Sequence, residues 1–285
     1  MYFEPKYFSM KPEFEKIDKN INSSFRVFEH KNLKEYKPYH FHPEFEIVLI
    51  TKGEGKRFVG DHIGFFKKND LVLVGGNLPH CWVQNDEINA VVIQFNWEIF
   101  MDRVGNMPEL IKIIELLEKA TNGISFNEIS TTCYKKLKKI SMLEGIDRLI
   151  CFLQLLNEMS IVKNYEVLSS FTFNDLHTQK HRIDKVLKYI YENFNHELNV
   201  NVAADILKMN VSAFCHYFKK TTNRTFSNFV NQVRIGYAGK LLIETDKNVS
   251  EIAFDSGYNS LSNFNKRFRE KNGISPKEYR TKYLV

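Results

Sequence analysis

Three histidines and one glutamate in the first third of the chain have the types and spacing of a shared polar site. His40, His42 and Glu46 are separated by even intervals in HFHPEFEIVLI, and His80 follows a second apolar run. Because successive side chains of a β-strand point to opposite faces, a strand would place the first three on one face. Imidazole and carboxylate groups can bind a metal ion or hydrogen-bond to a small molecule. We call these four residues the tetrad.

Short strands are the elements predicted to position the tetrad. Between residues 21 and 100, the segments EFEIVLI, GKRFVG, DLVLV and NAVVIQF alternate with turn signals. Several short strands without intervening helices predict a small β-barrel or a sandwich.

The tetrad region resembles a cupin. The segment from His40 to Gly53 matches the first cupin motif, H-x-H-x(3)-E-x(6)-G, whereas the second motif is partial because its P-x-G is absent before His80. The resemblance implies a cupin-like effector domain over residues 1–105. In metal-binding cupins such a ligand set holds iron, manganese, nickel or zinc. A divalent metal, a hydrogen-bonded organic effector such as a sugar or related metabolite, and a purely structural role all stay open for the tetrad.

The composition indicates two parts with different tasks. A chain of 285 residues suggests about two domains. Residues 180–285 contain 18 Lys and Arg against 10 Asp and Glu, a net charge of +8, whereas residues 1–179 carry −2. The basic part suits a polyanion.

No apolar run approaches the ~18 residues of a membrane span, and the proline-broken N-terminus does not predict a signal peptide, so we expect a cytoplasmic protein. The four cysteines form no C-x-x-C pair and are expected to be reduced.

The basic part repeats itself at an offset of 50 residues. Ala203 matches Ala253 and Phe214 matches Phe264, and no insertion is needed between the copies. Each copy is predicted to be a short helix, a turn and a second helix, which is a helix-turn-helix. In the second copy Ser260 is a good N-cap and Gly273 a good helix stop. Asn210 and Asn223 take these positions in the first copy. Thr225–Thr245 is predicted to be one long helix joining the two units.

The second helix of each unit has a polar face opposite its phenylalanines. A helix in the major groove reads base edges with such side chains, while Lys and Arg meet phosphates. A solvated surface is the alternative for a single helix, but two such faces in a basic segment favour DNA. The predicted DNA-binding residues are Ser212, Cys215, His216 and Lys219 in the first unit, and Ser262, Asn263, Lys266, Arg267 and Arg269 in the second.

The segment EIAFDSGYNSLSNFNKRFREKNGISPKEYR resembles the signature of the AraC/XylS family of bacterial transcription factors, as do RIDKVLKYIYENF and RIGYAGKLL. The similarity covers residues 180–285. It implies binding of promoter DNA through both recognition helices in successive major grooves, transcription activation and RNA polymerase as a partner. Base contacts carry over to Ser212, Cys215, His216, Ser262 and Lys266. His216 departs from the frequent Arg, and Asn223 from the usual Gly.

Residues 106–179 are predicted to be a helical dimerisation segment and linker. Two apolar helix faces support it, and the family resemblance implies that helices here pair two subunits, although packing on the chain's own barrel is the alternative. Ser169–Lys180 has few apolar positions and is predicted to be the linker. The faces are formed by Leu110, Ile113, Ile114 and Leu117, and by Ile146, Leu149, Ile150, Leu153 and Leu156.

The predicted fold class is α+β, with a cupin-like β-barrel, a helical dimerisation segment and an all-α domain with two helix-turn-helix units. The predicted function is that of a homodimeric, effector-responsive transcription factor rather than an enzyme. A metal-dependent cupin enzyme fused to a DNA-binding domain is the alternative. A constitutive regulator with a structural barrel is a third possibility.

Overall fold

The computed structural model describes residues 11–18, 23–34, 37–84, 86–97, 107–170 and 180–283. The chain forms two compact units. One spans residues 15–37 and 41–178, and the other spans residues 1–14, 38–40 and 179–285. The predicted linker Ser169–Lys180 falls largely outside the described residues, because these do not include residues 171–179. The fold is mixed, with sheets in the N-terminal part and a helical domain in the C-terminal part.

The described strands, numbered in chain order, form two sheets. One has the order β1 (Glu13–Phe14), β3 (His40–Phe41), β8 (His80–Gln84), β5 (Gly55–Val59) and β6 (His62–Phe66). The other has the order β11 (Tyr165–Val167), β10 (Ile124–Phe126), β7 (Leu71–Val74), β4 (Phe45–Lys52), β9 (Ile88–Phe95) and β2 (Phe25–Leu33). Each sheet ends in strands that pair on one side only, so the described strands do not close into the predicted cupin-like barrel.

In the described part of the sheet-containing region, three α-helices accompany the sheets: α1 (Ile111–Ala120), α2 (Thr131–Lys139) and α3 (Gly145–Ser160). Short 3-10 helices occur at Pro108–Leu110 and Ile140–Met142. The region was predicted to be helical throughout, but β10 and β11 pair with each other and extend the sheet through β7. Strands of three residues are too short to show an alternating pattern in the sequence.

Strand β4 is buried on both faces because each face packs against a different layer. Ile47 and Leu49 belong to the main core together with Phe152 of α3. Val48 and Ile50 instead form a smaller core that includes Phe66 of the other sheet. Since side chains two residues apart on a strand share a face, Glu46 lies on the same side as Val48. The tetrad glutamate therefore faces the other sheet.

Helix α3 packs through a face that differs from the predicted seam. Its buried residues are Cys151, Phe152, Leu155, Leu156 and Met159. Of the predicted seam, Leu156 is buried, but Ile146 and Ile150 are 66% and 46% exposed. Met142, just before the helix, is 81% exposed. Phe152 stacks on Phe25 of β2 at 4.3 Å between ring centroids, which directs the neighbouring face toward the sheet. Helix α3 therefore keeps an apolar strip in solvent.

Within residues 180–283, the C-terminal domain has seven helices: α4 (Lys180–Asn193), α5 (Val200–Ile206), α6 (Val211–Thr222), α7 (Phe226–Glu244), α8 (Val249–Asp255), α9 (Leu261–Asn272) and α10 (Pro276–Tyr283). The predicted caps are confirmed. Asn210 and Ser260 accept hydrogen bonds from the backbone of α6 and α9. Asn223 and Gly273 end these helices in the left-handed conformation, with φ of 55° and 75°. Each helix-turn-helix therefore starts and stops where its sequence dictates.

Two arginines tie the helix before each helix-turn-helix to the helix after it. Arg234 of α7 donates from Nε to the carbonyl of Phe194 at 2.7 Å and from Nη2 to that of His196 at 2.9 Å, just past the end of α4. Arg280 of α10 donates from Nε to the carbonyl of Leu242 at 2.9 Å, near the end of α7. The last carbonyls of a helix lack intrahelical donors, so these guanidinium groups satisfy them.

Candidate nucleic-acid interface and polar tetrad

The structure brings all four tetrad residues together. His42 Nε2 lies 3.1 Å from Glu46 Oε2, and His80 Nε2 lies 3.5 Å from Glu46 Oε1. One nitrogen or oxygen from each of His40, His42, Glu46 and His80 lies within 4.8 Å of the others, and all four side chains are buried. The polar groups predicted from the sequence spacing therefore converge on one point.

The hydrogen bonds of the ring Nδ1 atoms fix the orientation of the three histidines. His40 Nδ1 is 2.7 Å from the carbonyl of Pro38, His42 Nδ1 is 3.1 Å from that of Glu44, and His80 Nδ1 is 2.8 Å from that of Leu78. A carbonyl oxygen only accepts, so Nδ1 must carry the hydrogen in each ring. In the neutral imidazole the lone pair is then on Nε2. Backbone carbonyls commonly orient metal-binding histidines in this way.

The electrostatics of the tetrad demand positive charge. Burial alone would raise the pKa of Glu46, but its close contacts with the rings of His42 and His80 hold it well below its ordinary value, so the carboxylate is ionised. Burial alone would lower the pKa of His42, but the hydrogen bond and charge of Glu46 outweigh it and raise it. Neutral Nε2 atoms facing a carboxylate would repel it. Either protons on the rings or a cation among them removes this repulsion.

The spacing of the tetrad atoms suits a metal ion. Two ligand atoms that each lie about 2.1 Å from one ion are separated by about 3 to 4.2 Å, depending on the angle between them. The contacts of Glu46 with His42 and His80, at 3.1 and 3.5 Å, fall in this range. Three imidazoles and one carboxylate suit iron, manganese, nickel or zinc. The residues therefore fit the group that the cupin resemblance implies.

Gln94 also contacts the tetrad, and the sequence interpretation missed it. Its Nε2 donates to Glu46 Oε2 at 2.7 Å, and the side chain is 3% exposed. Gln94 lies on β9 directly opposite Glu46 of β4. The available signal was its position in NAVVIQF, where it is the polar residue in line with the apolar Ala90 and Val92.

The recognition helices α6 and α9 have the predicted division into a buried and an exposed face. Phe214 and Phe218 of α6 and Phe264 and Phe268 of α9 have no exposed surface. The nine predicted DNA-binding residues are all exposed: Ser212, Cys215, His216, Lys219, Ser262, Asn263, Lys266, Arg267 and Arg269. Arg267 pairs with Glu270 of the same helix at 3.1 Å. The exposed faces of both helices are thus available to an external partner.

The described helices include none that is both long and apolar enough to cross a membrane.

Comparisons with known proteins include matches to the C-terminal part alone and matches to most of the chain. A family model described as a helix-turn-helix domain matches residues 203–282. The chain is 24% identical to the HTH-type transcriptional activator RhaS of Mannheimia succiniciproducens over 265 residues, covering 89% of this chain and 93% of that protein. It is 31% identical to the melibiose operon regulatory protein of Escherichia coli K12 over 98 residues, 34% of this chain and 32% of that protein. It spans about a third of that regulator.

Among solved structures, wild-type ToxT from Vibrio cholerae with a bound unsaturated fatty acid is similar to this chain. The two are 18% identical with a TM-score of 0.44, and the match covers 95% of this chain and 98% of ToxT.

Proposed function

Residues 203–282 are a helix-turn-helix domain of the AraC family and the chain is a DNA-binding transcription regulator; from this premise we propose that α6 and α9 both read promoter DNA. The observation that carries the proposal is the tandem arrangement. Two helices at an offset of 50 residues each bury a pair of phenylalanines at equivalent positions, and each exposes polar and basic side chains. Transcription activation, with RNA polymerase as partner, is the outcome of binding.

Exposed residues of α9 divide into two roles. Ser262 and Lys266 meet base edges, whereas Arg267 and Arg269 meet phosphates and contribute affinity without sequence information. In α6 the base contacts fall to Ser212, Cys215 and His216, and Lys219 meets a phosphate. The net charge of +8 on residues 180–285 attracts the duplex before either helix is seated.

Lys266→Ala tests the reading of bases. The variant should lose about 1–3 kcal/mol on a matched site and tolerate more than one base at a single position, because a specific donor is removed. The measurement is a titration of fluorescent operator variants at fixed salt. Lys112→Ala is the control, since it removes the same charge from an exposed position of α1. Unchanged affinity and base preference in Lys266→Ala would show that α9 is placed wrongly.

The tetrad is the proposed sensing site. A divalent metal would be held by His40, His42, Glu46 and His80, where it supplies positive charge and a Lewis-acid position for an effector oxygen. The lone-pair orientation of the three imidazoles and the ionised Glu46 support this assignment. The effector, of which a sugar or related metabolite is one candidate, acts by binding one conformational state better than another. The cupin-like sandwich is then a sensor rather than a catalyst.

We also propose that two copies pair through the apolar strip of Met142, Ile146 and Ile150. These side chains are 81%, 66% and 46% exposed; Ile146 and Ile150 lie one turn apart on α3, and Met142 ends the short 3-10 helix that precedes it. Pairing with a second copy would bury the same strip on both subunits, as a two-fold interface requires.

Ile146→Glu is expected to dissociate the dimer. The substitution removes the burial of one isoleucine from each subunit, and each burial contributes about 1.5–3 kcal/mol to the free energy of association. The dimer dissociation constant should therefore rise about 100-fold or more. Sedimentation velocity over a concentration series measures this. Ile111→Glu is the control, because Ile111 is 52% exposed on a different helix. A dimer that survives Ile146→Glu as well as the control would remove the strip from the interface.

A metal-dependent cupin enzyme fused to a DNA-binding domain is the second candidate function. It is favoured only by the tetrad, because no separate nucleophile or acid–base pair accompanies it in the sequence. Turnover of a substrate that disappears in His40→Ala would support it over the sensor.

A further inference from the structure

We propose that Gln94 is the positioning residue for Glu46, and that it sets the affinity of the tetrad for a divalent cation. The inference rests on the proposed role of the tetrad as a metal site. It adds a fifth residue, which belongs to neither cupin motif.

The contact between Gln94 and Glu46 is a cross-strand pair. The two residues are register partners on the adjacent antiparallel strands β4 and β9, so their side chains leave the same face of the sheet. Gln94 Nε2 donates to Glu46 Oε2 at 2.7 Å, and the two residues are 3% and 5% exposed. Gln94 Oε1 is buried and has no hydrogen-bond donor among the described residues. Among the described residues, the side chain of Gln94 therefore acts as a hydrogen-bond donor, through Nε2 to Glu46.

Glu46 Oε2 lies near two nitrogens, His42 Nε2 at 3.1 Å and Gln94 Nε2 at 2.7 Å. A metal in the tetrad would take up His42 Nε2 as a ligand, so Gln94 is the neighbour that can donate to this oxygen with or without the ion. A glutamate side chain has three rotatable bonds, and leaving it free costs conformational entropy when a metal is bound. Gln94 donates to Oε2 whether or not a cation is present, and it thereby orients the carboxylate in advance.

The chemical type of this partner favours a cation site. A lysine or arginine at position 94 would also fix the carboxylate, but it would place a positive charge beside the ion. The neutral amide keeps the full negative charge of Glu46 for the metal. Its oxygen also remains an acceptor for a hydrogen on a ligand of the ion. Partners of this kind typically contribute 10- to 100-fold to metal affinity.

The test is the zinc affinity of the tag-free full-length chain, measured by competition with a chromophoric chelator. Gln94→Leu should bind one equivalent of Zn²⁺ about 10- to 100-fold more weakly than the unaltered chain. The same substitution is then made in a Glu46→Ala background, where three histidines still bind zinc. There its effect should fall within about twofold, because the residue through which Gln94 acts is gone. Val92→Ala is the matched control, at the preceding inward position of β9.

The outcomes separate the two proposals. If the unaltered chain takes up no zinc, the metal site fails and the role of Gln94 fails with it. If it binds one equivalent and Gln94→Leu binds equally tightly, only the inference about Gln94 is overturned. An equal loss in the Glu46→Ala background, or in Val92→Ala, would mean that the substitution acts through the packing of β9, which also overturns it.

Discussion

Protein purified without an affinity tag from metal-replete medium should carry close to one equivalent of a divalent metal, and His80→Ala should lose it. The free energy of binding a four-ligand zinc site is about 10–16 kcal/mol, so removing one ligand should weaken affinity by about 100- to 1,000-fold. Burial amplifies the effect, because His80 and Glu46 are 1% and 5% exposed and water cannot easily replace the lost imidazole. Elemental mass spectrometry measures the metal content.

His62→Ala is the control for this result. His62 is on β6, the strand at the end of the same sheet as His80, and its contact is with Glu166 at 3.7 Å rather than with the tetrad. It should keep the metal. A metal-free unaltered chain that also refuses added zinc, iron and manganese would contradict the assignment. The three Nε2 atoms would then act as hydrogen-bond partners of an organic effector, and a metabolite screen against DNA binding would follow.

Gly257→Ala should destabilise the helical domain by about 2–5 kcal/mol. Gly257 has a φ of 81°, and a left-handed conformation costs a residue with a Cβ about 1–2 kcal/mol. An added Cβ would also lie 2.8 Å from the carbonyl oxygen of Phe194 and 3.0 Å from Nε of Arg234. Forcing these groups apart adds about 1–3 kcal/mol. It also breaks the hydrogen bond by which Arg234 satisfies the end of α4.

Gly273→Ala provides a matched comparison. Its φ is 75°, but an added Cβ would meet nothing within 4 Å, so only the backbone cost of about 1–2 kcal/mol applies. Both variants are compared by urea unfolding of the full chain, followed by helical circular dichroism. The tryptophans, Trp82 and Trp97, belong to the sheet-containing unit. The unfolding transition followed by tryptophan fluorescence should therefore keep its urea midpoint in both variants. Equal destabilisation by the two substitutions would show that the close approach at Gly257 is relieved without cost.

The helix-turn-helix repeat was predictable because its determinants are local. Caps such as Asn210 and Ser260 and the left-handed stops at Asn223 and Gly273 act within one turn of their own helix. The structure reproduces each of them. The tetrad was also predictable from spacing, since His40, His42 and Glu46 are close in sequence and His80 ends a strand-like run.

The remaining features depend on partners that are distant in the chain. Gln94 is tied to Glu46 across 48 residues, and its pattern in β9 does not name its partner. The packed face of α3 is set by Phe25 of β2, far from Ile146 and Ile150, which the helical spacing alone favoured. The short strands predicted a small barrel or a sandwich, and the resemblance favoured a cupin-like barrel, whereas strand order in the described residues gives two sheets. Local patterns do not specify any of these pairings.

Helix α7 has a consequence for how this domain can evolve. It packs against α6 on one side and against α8, α9 and α10 on the other, and its buried residues include Phe229 and Leu242 at opposite ends. Phe229 meets Phe218 of the first unit at 5.5 Å between ring centroids. Near the other end Gly239 faces Tyr279 of the second. The repeat points to a duplication, yet each copy now packs part of its core against the same helix. Recombination that separates the copies would remove this shared partner from one of them, so we expect the two units to be inherited together.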